Sequence, residues 1–209
     1  MFLPACAWGQ DEPEANAPFD LELQKQALFA LAQMENDEAT AKLVEIAESH
    51  RHEEMRKQAI FWLGQQDGGM AMEALDGLYA NESSIDVRKQ ILFAFSQHDS
   101  QAGMARLVRT ASSDEPMELR KQAIFWLGNE GGAEAVKLFE ELLDRDEDEE
   151  LQKQVVFALG QMDGTGEAQL IELARTHSST EVRKQAIFWL GQSGSTQARE
   201  ALLELLEGR

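Results

Sequence analysis

A nine-residue segment recurs six times at an almost fixed interval along this 209-residue chain, and that repetition constrains the fold more than any other feature. The segment Leu23-Gln24-Lys25-Gln26-Ala27-Leu28-Phe29-Ala30-Leu31 returns as Met55-Arg56-Lys57-Gln58-Ala59-Ile60-Phe61-Trp62-Leu63. It returns again over 87–95, 119–127, 151–159 and 182–190. Its lysines stand at 25, 57, 89, 121, 153 and 184, every step being 32 residues except the last, which is 31. A unit this short cannot bury its own apolar face, so stacking of neighbours must supply the core. The expected fold is an all-α, right-handed solenoid of six helix pairs.

Each unit reads as two helices. The nonapeptide forms the first, and the glycine-bearing stretches 64–69, 128–132, 160–166 and 191–194 read as its stop signals. The second helix carries apolar residues at steps of three and four, as in Leu43, Ile46 and Ala47, or Ala135, Leu138, Phe139 and Leu142. Polar links follow, and Pro116 leads into a helix rather than interrupting one. The expected units are 20–51, 52–83, 84–115, 116–147, 148–178 and 179–209, after a tail over 1–19.

A weaker period spans two units. Trp62, Trp126 and Trp189 occupy the place that Ala30, Ala94 and Ala158 hold in the alternate units. Stacked helices would then meet large against small. The same tryptophans also fit an aromatic recognition strip, and both readings stay open at this point.

The segment Val182-Arg183-Lys184-Gln185-Ala186-Ile187-Phe188-Trp189-Leu190-Gly191 resembles the HEAT-repeat family, in the short form of the bilin-lyase-type HEAT-like repeats. The resemblance extends over residues 20–209 and is similar to bacterial HEAT-repeat proteins. It implies a scaffold that binds partners, with the Val-Arg helices on the concave side. Gln24 and Gln152 replace the family's arginine in units one and five, and the Phe-Trp pair is heavier than the usual small residues.

At roughly 100° per residue, Val182, Ala186, Leu190 and Trp189 fall on one side of the helix, with Lys184 and Phe188 on the other. The other five units repeat this outward Lys–Phe pair, as Lys25–Phe29, Lys57–Phe61, Lys89–Phe93, Lys121–Phe125 and Lys153–Phe157. Six copies in register predict a ribbon, and an exposed apolar ribbon marks an interaction surface. The expected partner-binding residues are Lys57, Phe61, Trp62, Lys89, Phe93, Lys121, Phe125, Trp126, Lys153, Phe157, Lys184, Phe188 and Trp189. The expected partner is a protein or peptide bearing apolar and acidic groups. If the helices crowd, the phenylalanines instead pack among themselves.

Charge is uneven. The chain holds 38 acids against 19 bases, a net charge of -19, which opposes nucleic acid and anionic membranes. Ten of the 19 bases lie in two columns, the lysines that begin with Lys25 and the arginines that begin with Arg56. The arginines are expected to bond to link acids such as Glu54, Asp86, Glu118 and Glu181. The lysines, further out, are expected to be freer for a ligand, on a face less acidic than the rest.

Little points to chemistry. His50, His52, His98 and His177 are scattered, and no metal, nucleophile or phosphate-cradling motif appears. One cysteine excludes an internal disulfide. The expectation is a non-enzyme with no catalytic residue, metal or cofactor. A bilin-lyase-like module and a purely architectural spacer are the alternatives. No apolar run is long enough to span a bilayer. Residues 1–9 are apolar, and Ala7 and Gly9 suit cleavage before Gln10, as at the end of an export signal. A tail with a chance apolar start fits equally, so export and cytoplasmic residence both stand. The solenoid's ends, each lacking a neighbour, offer a route to oligomers.

Overall fold

The computed structural model describes residues 20–34, 36–66, 68–98, 101–130, 132–145, 148–162 and 164–208. The expectations placed on residues 1–19 lie outside them. Within the described residues the chain is all helical. The helices are α1 (Leu21–Ala32), α2 (Asp37–Ser49), α3 (Glu53–Gly64), α4 (Gly69–Asn81), α5 (Ile85–Gln97) and α6 (Gln101–Ser112). They continue as α7 (Met117–Glu130), α8 (Ala133–Asp144), α9 (Glu149–Gln161), α10 (Glu167–Thr176), α11 (Thr180–Ser193) and α12 (Thr196–Leu206). Each nonapeptide lies in an odd-numbered helix. Asp20, Asn36, Ser84, Asp148, Ser179 and Ser195 cap helix starts by accepting from backbone N–H groups of the first turn. Pro116 stands just before α7, where its carbonyl accepts from the N–H groups of Leu119 and Arg120.

The odd-numbered helices pack side by side along the whole array. The even-numbered helices form a second, looser layer, whose backbones come nearest at α2–α4, α6–α8 and α10–α12 and which side chains bridge at α4–α6, through Arg106–Asp76, and at α8–α10, through Gln169–Glu140. Closer packing of the odd-numbered layer puts it on the concave side of an α-solenoid. One apolar core runs between the layers, from Leu28 and Leu43 through Ile60, Leu75, Ile91, Leu107, Ile124 and Phe139 to Val156, Leu170 and Leu190.

Two kinds of junction alternate. At α3–α5 and α7–α9 the inner helices close to backbone contact. A Cβ on Gly64 would lie 2.7 Å from Ala94, and one on Gly128 would lie 2.8 Å from Ala158. At α1–α3, α5–α7 and α9–α11 a tryptophan stands between the inner helices, and here the outer helices come closer to each other. Each tryptophan therefore acts as a wedge that trades inner contact for outer contact. The alternation of large and small residues is a packing device, as one of the two sequence readings holds.

The four stretches end their helices as expected, but not through their first glycines: Gly128, Gly160 and Gly191 lie inside α7, α9 and α11, while Gly64 is the last residue of α3. Their use is close approach: an added Cβ on Gly160 would fall 2.2 Å from the indole of Trp189. The true stop on α11 is Gly194, in the left-handed region at φ 65°.

Candidate functional site: an aromatic ladder on the concave face

The phenylalanines of the six inner helices do meet one another, directly at two junctions and through a tryptophan at the other three. Phe29 lies 5.2 Å from Trp62, Trp62 lies 4.8 Å from Phe61, and Phe61 stacks on Phe93 at 6.1 Å. Phe93 reaches Trp126 at 5.0 Å, Trp126 reaches Phe125 at 4.8 Å, and Phe125 stacks on Phe157 at 6.2 Å. Trp189 closes the series at 5.5 Å from both Phe157 and Phe188. Nine rings thus form one continuous ladder, within the centroid spacing at which aromatic pairs attract. The two sequence readings of the ribbon both contain part of this. The rings pack edge and face against each other, yet Phe61, Phe93, Phe125 and Phe157 stay partly exposed, and Phe29 and Phe188 are open.

Beside the ladder runs a column of amides, Gln58, Gln90, Gln122, Gln154 and Gln185, each half-buried, with Gln26 exposed at its start. No other described residue engages their side chains. A primary amide has two N–H donors and a carbonyl acceptor, so the column offers unused donors and acceptors in every unit. Reading the sequence by charge and apolarity passes over these residues, although the same 32-residue register carries them.

The lysine column is not free, which corrects the expectation that its lysines stand open for a ligand. Lys57 bonds Glu53 at 2.8 Å, Lys153 bonds Glu149 at 2.8 Å and Glu150 at 3.1 Å, and Lys184 bonds Glu181 at 2.7 Å. Lys25 pairs with Glu22 and with Glu54 of the next unit, Lys89 with Asp86, and Lys121 with Glu150 of the next unit. These acids sit three or four residues earlier in the same helix, or in the first turn of the next inner helix, where the lysines reach them. The hydrogen bond to Glu53 raises the Lys57 pKa, and the bond back from Lys57 lowers that of Glu53. Glu150 and Glu181 are likewise lowered, first by their bonds to Lys153 and Lys184. The seam is therefore balanced in charge.

The arginines meet link acids in part, as Arg56 does Glu82 at 4.0 Å and Glu53 at 3.9 Å, but Glu54, Asp86 and Glu181 are taken by lysines. Arg120 Nε donates to the Ala111 carbonyl at 3.2 Å, Arg183 Nε to Ala174 at 3.0 Å, and Arg56 to His50 at 3.2 Å. Each carbonyl ends the outer helix of the preceding unit, where unpaired carbonyls and the helix dipole favour a cation. Arg88 instead pairs with Glu115 and lies over the Tyr79 ring at 4.3 Å.

The ladder opens into a shallow cleft at the middle of the array, between Lys89, Lys121, Gln122, Phe125, Gln154 and Phe157. Several predicted site residues meet there. Of the histidines only His50 and His52 lie together, their rings 5.6 Å apart, and His50 and His177 each accept a backbone N–H from two residues on, at the ends of α2 and α10. Among the described residues no three His, Cys, Asp or Glu side chains are grouped to hold a metal ion. No described helix is long and apolar enough to cross a membrane.

A family model described as HEAT repeats matches residues 104–170. Those residues are similar to HEAT repeats. A second model, the PBS lyase HEAT-like repeat, matches residues 182–208. No curated protein matches the chain. Among solved structures it is similar to a chain in the complex of CpcE and CpcF of phycocyanin lyase from Nostoc sp. PCC7120. The identity is 18 %, over 95 % of this chain and 85 % of that one, with a TM-score of 0.46.

Proposed function

We propose that the array, residues 20–209 acting as one domain, binds an extended protein or peptide segment along its concave face and catalyses no reaction itself. The ladder carries this reading: nine packed rings hold themselves rigid while leaving one side open, beside amides with unused donors and acceptors. A rigid aromatic surface loses little side-chain entropy on binding, and the glutamines suit the N–H and C=O groups of an extended main chain. The residues proposed to meet the partner are Lys57, Phe61, Trp62, Lys89, Phe93, Lys121, Phe125, Trp126, Lys153, Phe157, Lys184, Phe188 and Trp189, joined by Gln90, Gln122 and Gln154. The lysines act mainly through their methylenes, because their ammonium groups are already matched. The partner's charge follows from the same matching. A body of net charge -19 with no unpaired seam steers neutral or basic segments, not the acidic ones first expected.

The test begins with a random-peptide display library selected on the protein. The enriched peptides are then synthesised and titrated by tryptophan fluorescence, since Trp62, Trp126 and Trp189 lie in the ladder. Enriched sequences should be apolar and neutral or basic. Phe125→Ala, and Gln122→Ala with Gln154→Ala, should each weaken binding about tenfold. Failure of any peptide to enrich, or affinity unchanged in variants whose helicity is intact, would sink the reading.

The match of residues 182–208 to the PBS lyase HEAT-like repeat favours a second reading, in which the ladder holds an open-chain tetrapyrrole. Titration with biliverdin separates the two. A sharpened, shifted visible band at stoichiometric protein supports the chromophore, and an unchanged spectrum supports the peptide.

A further inference from the structure

The two ends of the solenoid are the two halves of a junction that the array already builds twice. At α3–α5 and α7–α9 an even-numbered unit presents a Phe, an Ile and a Gly to the Phe and Ala of the next odd-numbered unit. Ile60 and Ile124 are there fully buried, as are Val87 and Leu151 opposite them, at 0–1 % exposure. The C-terminal end shows the same first half uncovered. Ile187 is 37 % exposed and Phe188 57 %, and a Cβ on Gly191 would meet nothing within 4 Å. The N-terminal end shows the matching second half, with Leu23 at 55 % exposure, Phe29 at 45 % and Ala30 exposed. The described helices begin on an odd-numbered unit and stop on an even-numbered one. A second copy placed after the first therefore continues the alternation without a break.

We propose that the chain associates head to tail, the α11 end of one copy receiving the α1 end of the next. Phe188 then stacks on Phe29 as Phe61 does on Phe93, and Gly191 admits Ala30 as Gly64 admits Ala94. Charge fits as well. Lys121 of α7 reaches Glu150 at the start of α9, 3.5 Å away, and the corresponding pair across two copies is Lys184 with Glu22. The contact is heterologous, so association is open-ended unless the rotation closes a ring. Net charge of -19 on each copy opposes it, so added salt strengthens it. The inference is independent of the peptide-binding reading, because it uses the ends of the array and not its face.

Sedimentation velocity on the full chain, over a concentration series at low and high salt, reads the assembly. The expected result is a mass that rises with concentration, more steeply at high salt. Gly191→Leu fills the C-terminal half, where the monomer has room, and Ala30→Glu puts a charge into the N-terminal half, where the monomer is open to water. Each variant alone should sediment as a monomer with unchanged helicity. Mixed in equal amounts they should form one-to-one dimers and nothing larger, since each keeps one intact end. A wild-type chain that stays monomeric at every concentration overturns the proposal. So does association that survives both substitutions, or a mixture that does not pair. Association that appears only after removal of residues 1–19 also overturns it, because the chain's own tail is then the occupant of the end.

Discussion

Gly64 and Gly77 are both helical glycines, and their surroundings demand opposite outcomes on substitution. An added Cβ at Gly64 would lie 2.7 Å from the Cα and Cβ of Ala94, both held by backbone. Gly64→Ala should therefore cost about 1–3 kcal/mol of overpacking, more than the helix propensity it gains. At Gly77 the same methyl meets nothing within 4 Å, so Gly77→Ala should stabilise by about 0.5–1 kcal/mol. Urea denaturation of the two variants checks the contrast, and a stabilised Gly64→Ala would mean that the inner helices do not touch. The tryptophan wedges carry a similar opposition. The indole N–H groups of Trp62 and Trp126 are buried with no hydrogen-bond partner, which costs the fold what burial of the rings gains in part. Trp126→Phe keeps a ring and removes the orphaned donor, so it should destabilise far less than Trp126→Ala, which opens a gap beside Phe93 and costs about 3 kcal/mol. The glycines were visible in the sequence but their purpose was not. A glycine after an apolar run reads as a helix stop when only the chain's own direction is considered. Its contact with Ala94 or Trp189 is made across units.

Among elements, the joint between an outer helix and the next inner helix depends on the arginine column. Arg120 and Arg183 place a charged donor on the last-turn carbonyls Ala111 and Ala174. Arg183→Met should cost about 1–2 kcal/mol, and hydrogen exchange should rise first in the last turn of α10. Protection unchanged at Leu173 and Ala174 would count against that role. The lysine seam gives a pH dependence. Glu53, Glu150 and Glu181 are held below their ordinary value of 4.5 by lysine hydrogen bonds. Because the folded values are depressed, the stability they contribute is complete above 4.5 and lost as pH falls through the depressed values. The melting temperature should fall along that acid limb, and Lys153→Met should make the limb shallower. An identical limb in the variant would remove Glu150 from the account. At this scale the sequence was highly legible. The 32-residue register and the spacing of three and four within each unit place twelve helices, because both come from local periodicity. The sequence located the lysines correctly on the outer side of the helix. Their pairing was missed because a helical wheel shows direction and not reach, and acids one turn back or one unit on lie within reach.

The molecule as a whole is three blocks of two units, and the block is the unit of complementarity. Within a block a tryptophan separates the inner helices and the outer helices come closer. Between blocks the inner helices close on Gly64–Ala94 or Gly128–Ala158. The alternation of Trp62, Trp126 and Trp189 with Ala30, Ala94 and Ala158 makes this legible in outline, but which junction is tight depends on geometry between helices. The arrangement predicts a parity rule for deletions. Removing residues 85–148 joins Ser84, already a helix cap, to Glu149 at the start of α9. Gly64 then meets Ala158 in place of Ala94, and the alternation is preserved. Removing only residues 85–116 joins Ser84 to Met117 and puts Trp126 in the place of Ala94 against Gly64, so the close junction is lost and two wedged junctions follow one another. Stability in a solenoid is close to a sum of unit and junction terms, so chain length alone favours the single-unit deletion, which keeps five units instead of four. The parity rule predicts the reverse: the four-unit chain should melt cooperatively at the higher temperature, with helicity per residue unchanged. Circular dichroism melts of the two deletions decide it, and a five-unit chain that melts higher would show that the junctions are interchangeable.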